Sequence, residues 1–311
     1  MKKAKKHKGI SKLSFDFNAA AKQAAKEHPK LKNTLFIDAA KDKWPQTADI
    51  LAEMDVDEDD IRELGKTVSD ARRLKTSFHQ VIERGKKKAL GAVVFHQDRH
   101  PLYGSAPGPA DDAGTFDHET GHALSPEASG TPAENMADAY ASLRHLQRFD
   151  GDTADLDYCA WKRAMVFMQT GATSHLTTFT VDKIIIDQKT ADFLSLSPKE
   201  TAAIAKDYAR LNTPDEKKIQ KLQKDFKPLK KLPPRQAFRK LARITLKAEP
   251  DSPTFYLGAR ILAGALKKGG VTLDGKKIVL NGAEWDDLRE KLADKVKTLP
   301  PTHPLRRLKA A

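Results

Sequence analysis

The stretch Phe116-Asp-His-Glu-Thr-Gly-His-Ala-Leu124, followed after a short break by Thr131-Pro-Ala-Glu-Asn-Met-Ala-Asp-Ala-Tyr-Ala141, decides how this 311-residue chain is read. Side chains four apart on a helix share a face, so a helix through the first segment presents His118 and His122 to a single ion. Glu119 lies about 100 degrees round that helix from His118, close enough to a metal-activated water to act as general base without being a ligand. A catalytic zinc needs a third protein ligand and one open position. The second segment offers Glu134, Asp138 and His145 on one helical face, but His145 is about 16 Å from Glu134 along the axis, too far for one ion to touch both. Glu134 and Asp138 are one turn apart and fit the roles of ligand and acceptor of an imidazole N–H; spacing alone leaves open which of them binds the metal. Thr131-Pro-Ala-Glu134 also reads as a helix start, with Thr131 as cap and Glu134 closing a capping box.

Outward from this pair, the chain is patterned mostly for helices. Apolar residues recur at three and four from Thr47 onward, through Leu51 and Met54 and then Ile61, Leu64, Val68 and Ala71, which predicts two helices; a third includes Phe78, Val81 and Ile82. Gly91 to His96 is short, apolar and partly β-branched, a strand that at a sheet edge would pair with an extended substrate backbone. The glycines and prolines from Pro101 to Gly114 predict a loop, and the histidine-bearing helix is expected to start near Thr115. The helix carrying Asp138 should run to about Phe149. A further helix carries Trp161, Ala164, Met165 and Met168 at core spacing and closes at Gly171. Beyond it the pattern is helical again, interrupted by Pro233-Pro234 and by a hairpin from Val271 to Leu280 with Asp274-Gly275 at its turn. The expected architecture is α+β and mostly helical, with a small sheet beside two active-site helices. Residues 1–32 read as a basic, disordered tail, 33–190 as the catalytic core and 191–311 as a helical C-terminal region.

Composition bounds the chemistry. Hydrophobic residues make up 39% and charged ones 31%, the proportions of a folded, soluble chain. A single cysteine, Cys159, excludes an intrachain disulfide and a thiolate-rich metal site, so any zinc ligands are nitrogen and oxygen. No stretch approaches the roughly 20 apolar residues of a membrane span, and the basic N-terminus lacks the apolar segment of a signal peptide. A cytoplasmic location is expected, with signal-independent export as an effector as the alternative. The net charge of +13 concentrates in residues 2–32 and from Lys217 to Lys247. These runs read as solvated surface, or as attraction to an anionic partner.

The string His118-Glu-Thr-Gly-His122 followed by Glu134-Asn-Met-Ala-Asp138-Ala-Tyr-Ala141 resembles the gluzincin zinc metallopeptidases, whose second helix reads Glu-x-x-x-Asp. The similarity covers roughly 35 residues. It implies a zincin-like core, zinc bound by His118, His122 and Glu134, and Asp138 as the carboxylate orienting His118. The implied function is hydrolysis of a protein or peptide substrate, with Glu119 as general base. A donor to the developing oxyanion is expected as well; His175, in the small-residue run Gly171 to Thr178, is the first candidate, and Tyr140 and Tyr158 follow. His96 and His100 have no helical pairing with His118 and read as the rim of the cleft. The rival reading is a basic helical module that binds nucleic acid or an acidic protein and carries a structural or degenerate metal site. Oligomeric state and cleavage specificity are not legible.

Overall fold

Alternation of period two in three short segments builds the sheet behind the site. The computed structural model describes residues 15–84, 88–96, 108–126, 128–273 and 276–307. It pairs β1 (Thr34–Asp38), β2 (Phe78–Arg84) and β3 (Lys88–Phe95) in the order β1-β3-β2. β1 is parallel to β3 and β2 antiparallel, so that Phe36 and His79 both lie opposite Val93. Successive strand side chains point to opposite faces. Leu90, Ala92 and Val94 therefore join Ile37 and Ile82 in one core, which α2 (Trp44–Glu53) and α3 (Glu58–Leu74) close with Leu51, Leu64 and Val68. The opposite face receives α4 (Pro109–Leu124), whose Phe116 packs against Phe36 and Phe95.

Two expectations about this layer need correction. Phe78, Val81 and Ile82 do not continue the helical region; they lie in β2, where aromatic and β-branched side chains suit a pleated surface. The strand containing Gly91 is central, with β1 and β2 at the edges of the sheet, and it is β2 that borders the cavity, through Phe78 and His79.

A second core forms where α1 (Phe17–Glu27), α4, α5 (Gly130–Arg148), α7 (Thr178–Asp187) and α8 (Pro198–Asn212) meet, burying Phe17, Leu143, Leu146, Ile184 and Ala205. Residues 17–33 are consequently not a disordered tail, since α1 and the short 3-10 turn after it pack into this core. Asp16 caps α1 by accepting the Ala19 N–H at 3.0 Å, and Phe17 stacks on Phe95 with ring centroids 5.3 Å apart, so burial of an aromatic holds this segment to the sheet. Residues 1–14 lie outside the described residues. Position 190 is not a packing boundary either, since Phe193 and the α8 alanines Ala205 and Ala209 belong to the same core as α5.

The third core lies between α6 (Ala154–Thr170), α9 (Glu216–Phe226), α10 (Pro234–Lys247), α11 (Pro253–Lys267) and α12 (Ala283–Lys297), with the hairpin of β4 (Gly270–Leu273) and β5 (Lys276–Val279) at its side. Trp161, Met165 and Met168 are buried there, as their helical spacing predicts. The expected Asp274-Gly275 turn lies outside the described residues. α6 serves two cores at once, with Leu156 and Ala160 in one and Ala164 and Met165 in the other. It stops at Gly171, whose φ of 68° is the left-handed conformation that glycine adopts without a Cβ penalty. Helices thus dominate a fold with a small sheet, an α+β arrangement. Among the described residues no helix is long and apolar enough to cross a membrane.

Candidate metal centre

Two helices approach unusually closely at Gly121. A Cβ there would lie 2.7 Å from the Ala137 Cα of α5, so only a glycine lets the backbones of α4 and α5 come this near. α4 itself begins at Pro109, earlier than the expected Thr115. Proline in its first turn and the acidic pair Asp111 and Asp112 suit a helix N-terminus, where the missing N–H costs nothing and negative charge meets the helix dipole. Residues 101–107 of the expected loop lie outside the described residues. Flanking the close approach three residues before it and one after, α4 carries His118 and His122 and α5 carries Glu134 and Asp138.

The result is a convergence of three side chains. His118 Nε2 and His122 Nε2 are 3.2 Å apart; Glu134 Oε2 is 3.6 Å from the first and Oε1 is 3.7 Å from the second. Ligands about 2.0–2.1 Å from a tetrahedral zinc are separated by about 3.3 Å, close to these His–His and His–carboxylate spacings. His118, His122 and Glu134 thus form a group that can hold a metal ion. The capping-box role for Glu134 is not realised. α5 starts at Gly130 after Ser129, and the Thr131 hydroxyl donates instead to the Thr173 carbonyl at 3.2 Å.

Asp138 lies behind the triangle, fully buried. It accepts the His118 Nδ1–H at 2.7 Å, both Nε–H and Nη2–H of Arg163 at 2.7 Å each, and the Thr177 hydroxyl. Burial alone would raise its carboxyl, but Arg163 and His118 outweigh it and hold Asp138 well below the usual carboxylate range. An ionised acceptor at Nδ1 puts the His118 proton there and turns the Nε2 lone pair toward His122 and Glu134, the tautomer that ligation needs. Burial also disfavours charge on His118, yet Asp138, Glu134 and Glu119 together push its imidazole up. His122 goes the other way: burial, reinforced by His118 and by His79, pushes it down to about 3 and keeps it neutral.

Glu119 and His175 border the same cavity of about 680 Å³ as the triangle. Burial pushes the Glu119 carboxyl up to about 7, against the pull of His118. A carboxylate in that range is suited to accept a proton at neutral pH and give it up again. His175 is held by Arg163, whose Nη1 donates to its Nδ1 at 2.7 Å. A guanidinium has no acceptor, so the ring proton of neutral His175 sits on Nε2, and burial together with Arg163 pushes the imidazole down to about 4.

Other candidates fall elsewhere. The Tyr140 hydroxyl is 2.8 Å from His28 Nε2, on the far side of α5. Tyr158 lines a separate groove under Lys268. His145 packs against Phe149. His96 is buried, its backbone N–H and carbonyl both bonded to the Ser77 hydroxyl, which makes it a strand-end residue rather than a rim; His100 lies outside the described residues. Sequence reasoning misses Arg163, because it sits within an α6 stripe that reads as apolar core. It misses His79 too, since only strand pairing turns that side chain to the α4 face, where its ring lies parallel to His122 with centroids 6.1 Å apart. The available signal for Arg163 was its spacing: it lies four residues after Cys159 and four before Phe167, a charged residue on an apolar helical stripe.

No family model, curated protein or solved structure matches the chain.

Proposed function

We propose that this protein is a zinc-dependent metallopeptidase with a zincin-like core, in which His118, His122 and Glu134 bind the metal. The observation that carries the reading is the convergence of His118 Nε2 and His122 Nε2, 3.2 Å apart, with the Glu134 carboxylate, whose two oxygens lie 3.6 and 3.7 Å from them, and with the Glu119 carboxyl on the same cavity. Zinc bound there supplies a Lewis acid that lowers the pKa of water and polarises a substrate carbonyl. Glu119 accepts the proton from the attacking water and returns it to the leaving amine. His175 offers its Nε2–H to the oxyanion that develops on the carbonyl, and Arg163 keeps that proton on Nε2. Asp138 anchors His118 on one side and Arg163 on the other, so ligand and oxyanion donor are positioned through one carboxylate. Among the described residues β2 is an edge strand beside the cavity, which suits an extended peptide backbone and favours peptide over another amide as the substrate class.

Metal analysis of the purified chain tests the ligand set. One zinc per chain is expected for the parent, with loss in His122→Ala, and hydrolysis of a fluorogenic peptide library should stop with a chelator and with Glu119→Gln. A zinc content unchanged in His122→Ala would overturn the ligand assignment, and undiminished hydrolysis by Glu119→Gln would overturn the mechanism.

A further inference from the structure

A second groove borders the cavity of the metal centre. Lys162 and Val166, on one stripe of α6, line that cavity and also line the groove, of about 500 Å³, between α6 and the β4–β5 hairpin. The two spaces thus lie side by side along α6, and a chain that crosses this ridge meets both. The charge of the second groove is one-sided: Lys162, Lys268 and Lys277 line it, and no acidic side chain does so among the described residues.

Aromatic side chains in a basic groove invite a nucleic-acid reading, but here the rings are already engaged. The Lys268 ammonium lies 4.1 Å from the Trp161 ring centroid and 4.2 Å from that of Tyr158. The Trp161 indole N–H donates to the Ile261 carbonyl at 3.2 Å, and Gly264 packs against the same ring with no room for a Cβ. A base would have to displace the lysine to stack, whereas a carboxylate meets the ammonium groups where they stand. Burial and the neighbouring Lys162 charge hold the Lys268 ammonium below the usual lysine range, a cost that an incoming anion relieves.

We propose that this groove binds an Asp- or Glu-rich stretch of the peptide substrate, next to the bond presented at the metal centre. The placement of that bond rests on the metallopeptidase reading; the preference of the groove for carboxylates does not. Binding is therefore measured in the full-length Glu119→Gln chain by fluorescence anisotropy, with a labelled decapeptide rich in glutamate and its counterpart carrying glutamine at the same positions. The acidic peptide should bind about tenfold tighter at low salt, and the advantage should shrink as salt rises. Lys268→Gln with Lys277→Gln should remove it, while Lys199→Gln with Lys217→Gln, an equal charge change on exposed sites outside the groove, should leave it intact. Equal binding of the two peptides overturns the proposal, as does an advantage that survives the Lys268 and Lys277 changes. So does tighter binding of an oligothymidylate of matched charge that those changes abolish, which would make the groove a nucleic-acid site. Selective peptide binding by a chain whose parent hydrolyses nothing would sink the metallopeptidase reading alone.

Discussion

The pair of helices α4 and α5 carries a buried polar cluster on each side, and the two clusters have nearly the same parts. In front, Asp138 is gripped by Arg163 and bonded to His118. Behind, Asp117, the residue before His118, is gripped by Arg148 through bonds of 2.8 and 3.0 Å, while His28 meets Tyr140 and Glu27 meets Arg144. Each has a carboxylate with a two-point guanidinium partner and a nearby imidazole. The difference lies in where the remaining atoms point. Behind, each of these groups ends on a protein partner and the cluster ties α1 to the helix pair. In front, two imidazole nitrogens and two carboxylate oxygens converge on a common centre. Burial and strong pairing are thus common to both clusters, and convergence of donor atoms is what lets the front one hold an ion.

That contrast can be broken by substitution. The largest expected effect is in front: Glu119→Gln should lower kcat/KM for peptide hydrolysis about a thousandfold with zinc content and unfolding midpoint preserved, because the residue handles a proton and holds nothing. Next, Asp138→Asn should weaken zinc binding about 10–100-fold and also cost stability, about 3 kcal/mol, since Arg163 is left buried without its counter-charge. Competition with a chromogenic chelator and urea unfolding would measure the two. Behind, Asp117→Asn should cost about 2 kcal/mol, less than in front because Arg148 reaches solvent, and should leave zinc affinity unchanged. A fall in zinc affinity as large as that of Asp138→Asn would mean the two clusters act as one.

The smallest effect concerns pH. Burial pushes His145 down to about 4 from an ordinary value of 6.5 and lowers His28 as well. Above pH 6.5 these rings are neutral folded and unfolded, so they add no pH dependence. As pH falls from 6.5 toward 4 the unfolded chain takes up protons that the folded chain refuses, and stability must drop. The loss for His145 should be on the order of 1 kcal/mol between pH 7 and pH 5, read by urea unfolding in chelator. Asp138 begins to contribute only at lower pH: its depressed carboxyl stabilises the fold above about pH 4, and that part is lost as pH falls through the folded value. A profile flat from pH 7 to pH 5 in the metal-free chain would contradict the burial of these rings.

Local spacing made the candidate metal ligands legible. His118 and His122 are one helical turn apart, so their common face follows from helix geometry alone, and the same holds for Glu134 and Asp138 on the next helix. The apolar spacing of Trp161, Met165 and Met168 likewise announced a core helix. What spacing could not decide was which acid of the second pair faces the histidines, because helical periodicity fixes relative directions within one element and not its rotation against another. That rotation is set by the close approach at Gly121 and by Arg163 and Thr177 drawing Asp138 inward. Strand order was equally out of reach: Phe78 to Ile82 has no periodicity that excludes a helix, and only pairing with β3 turns His79 toward His122. The roles of Arg163 and His79, the packing of α1 on the sheet and the shared wall between the two grooves all arise from contacts between residues distant in the chain. Side-chain direction along one helix is therefore written in the sequence, whereas the choice of partner across elements is decided by packing, where close approach and satisfied buried charge select one arrangement.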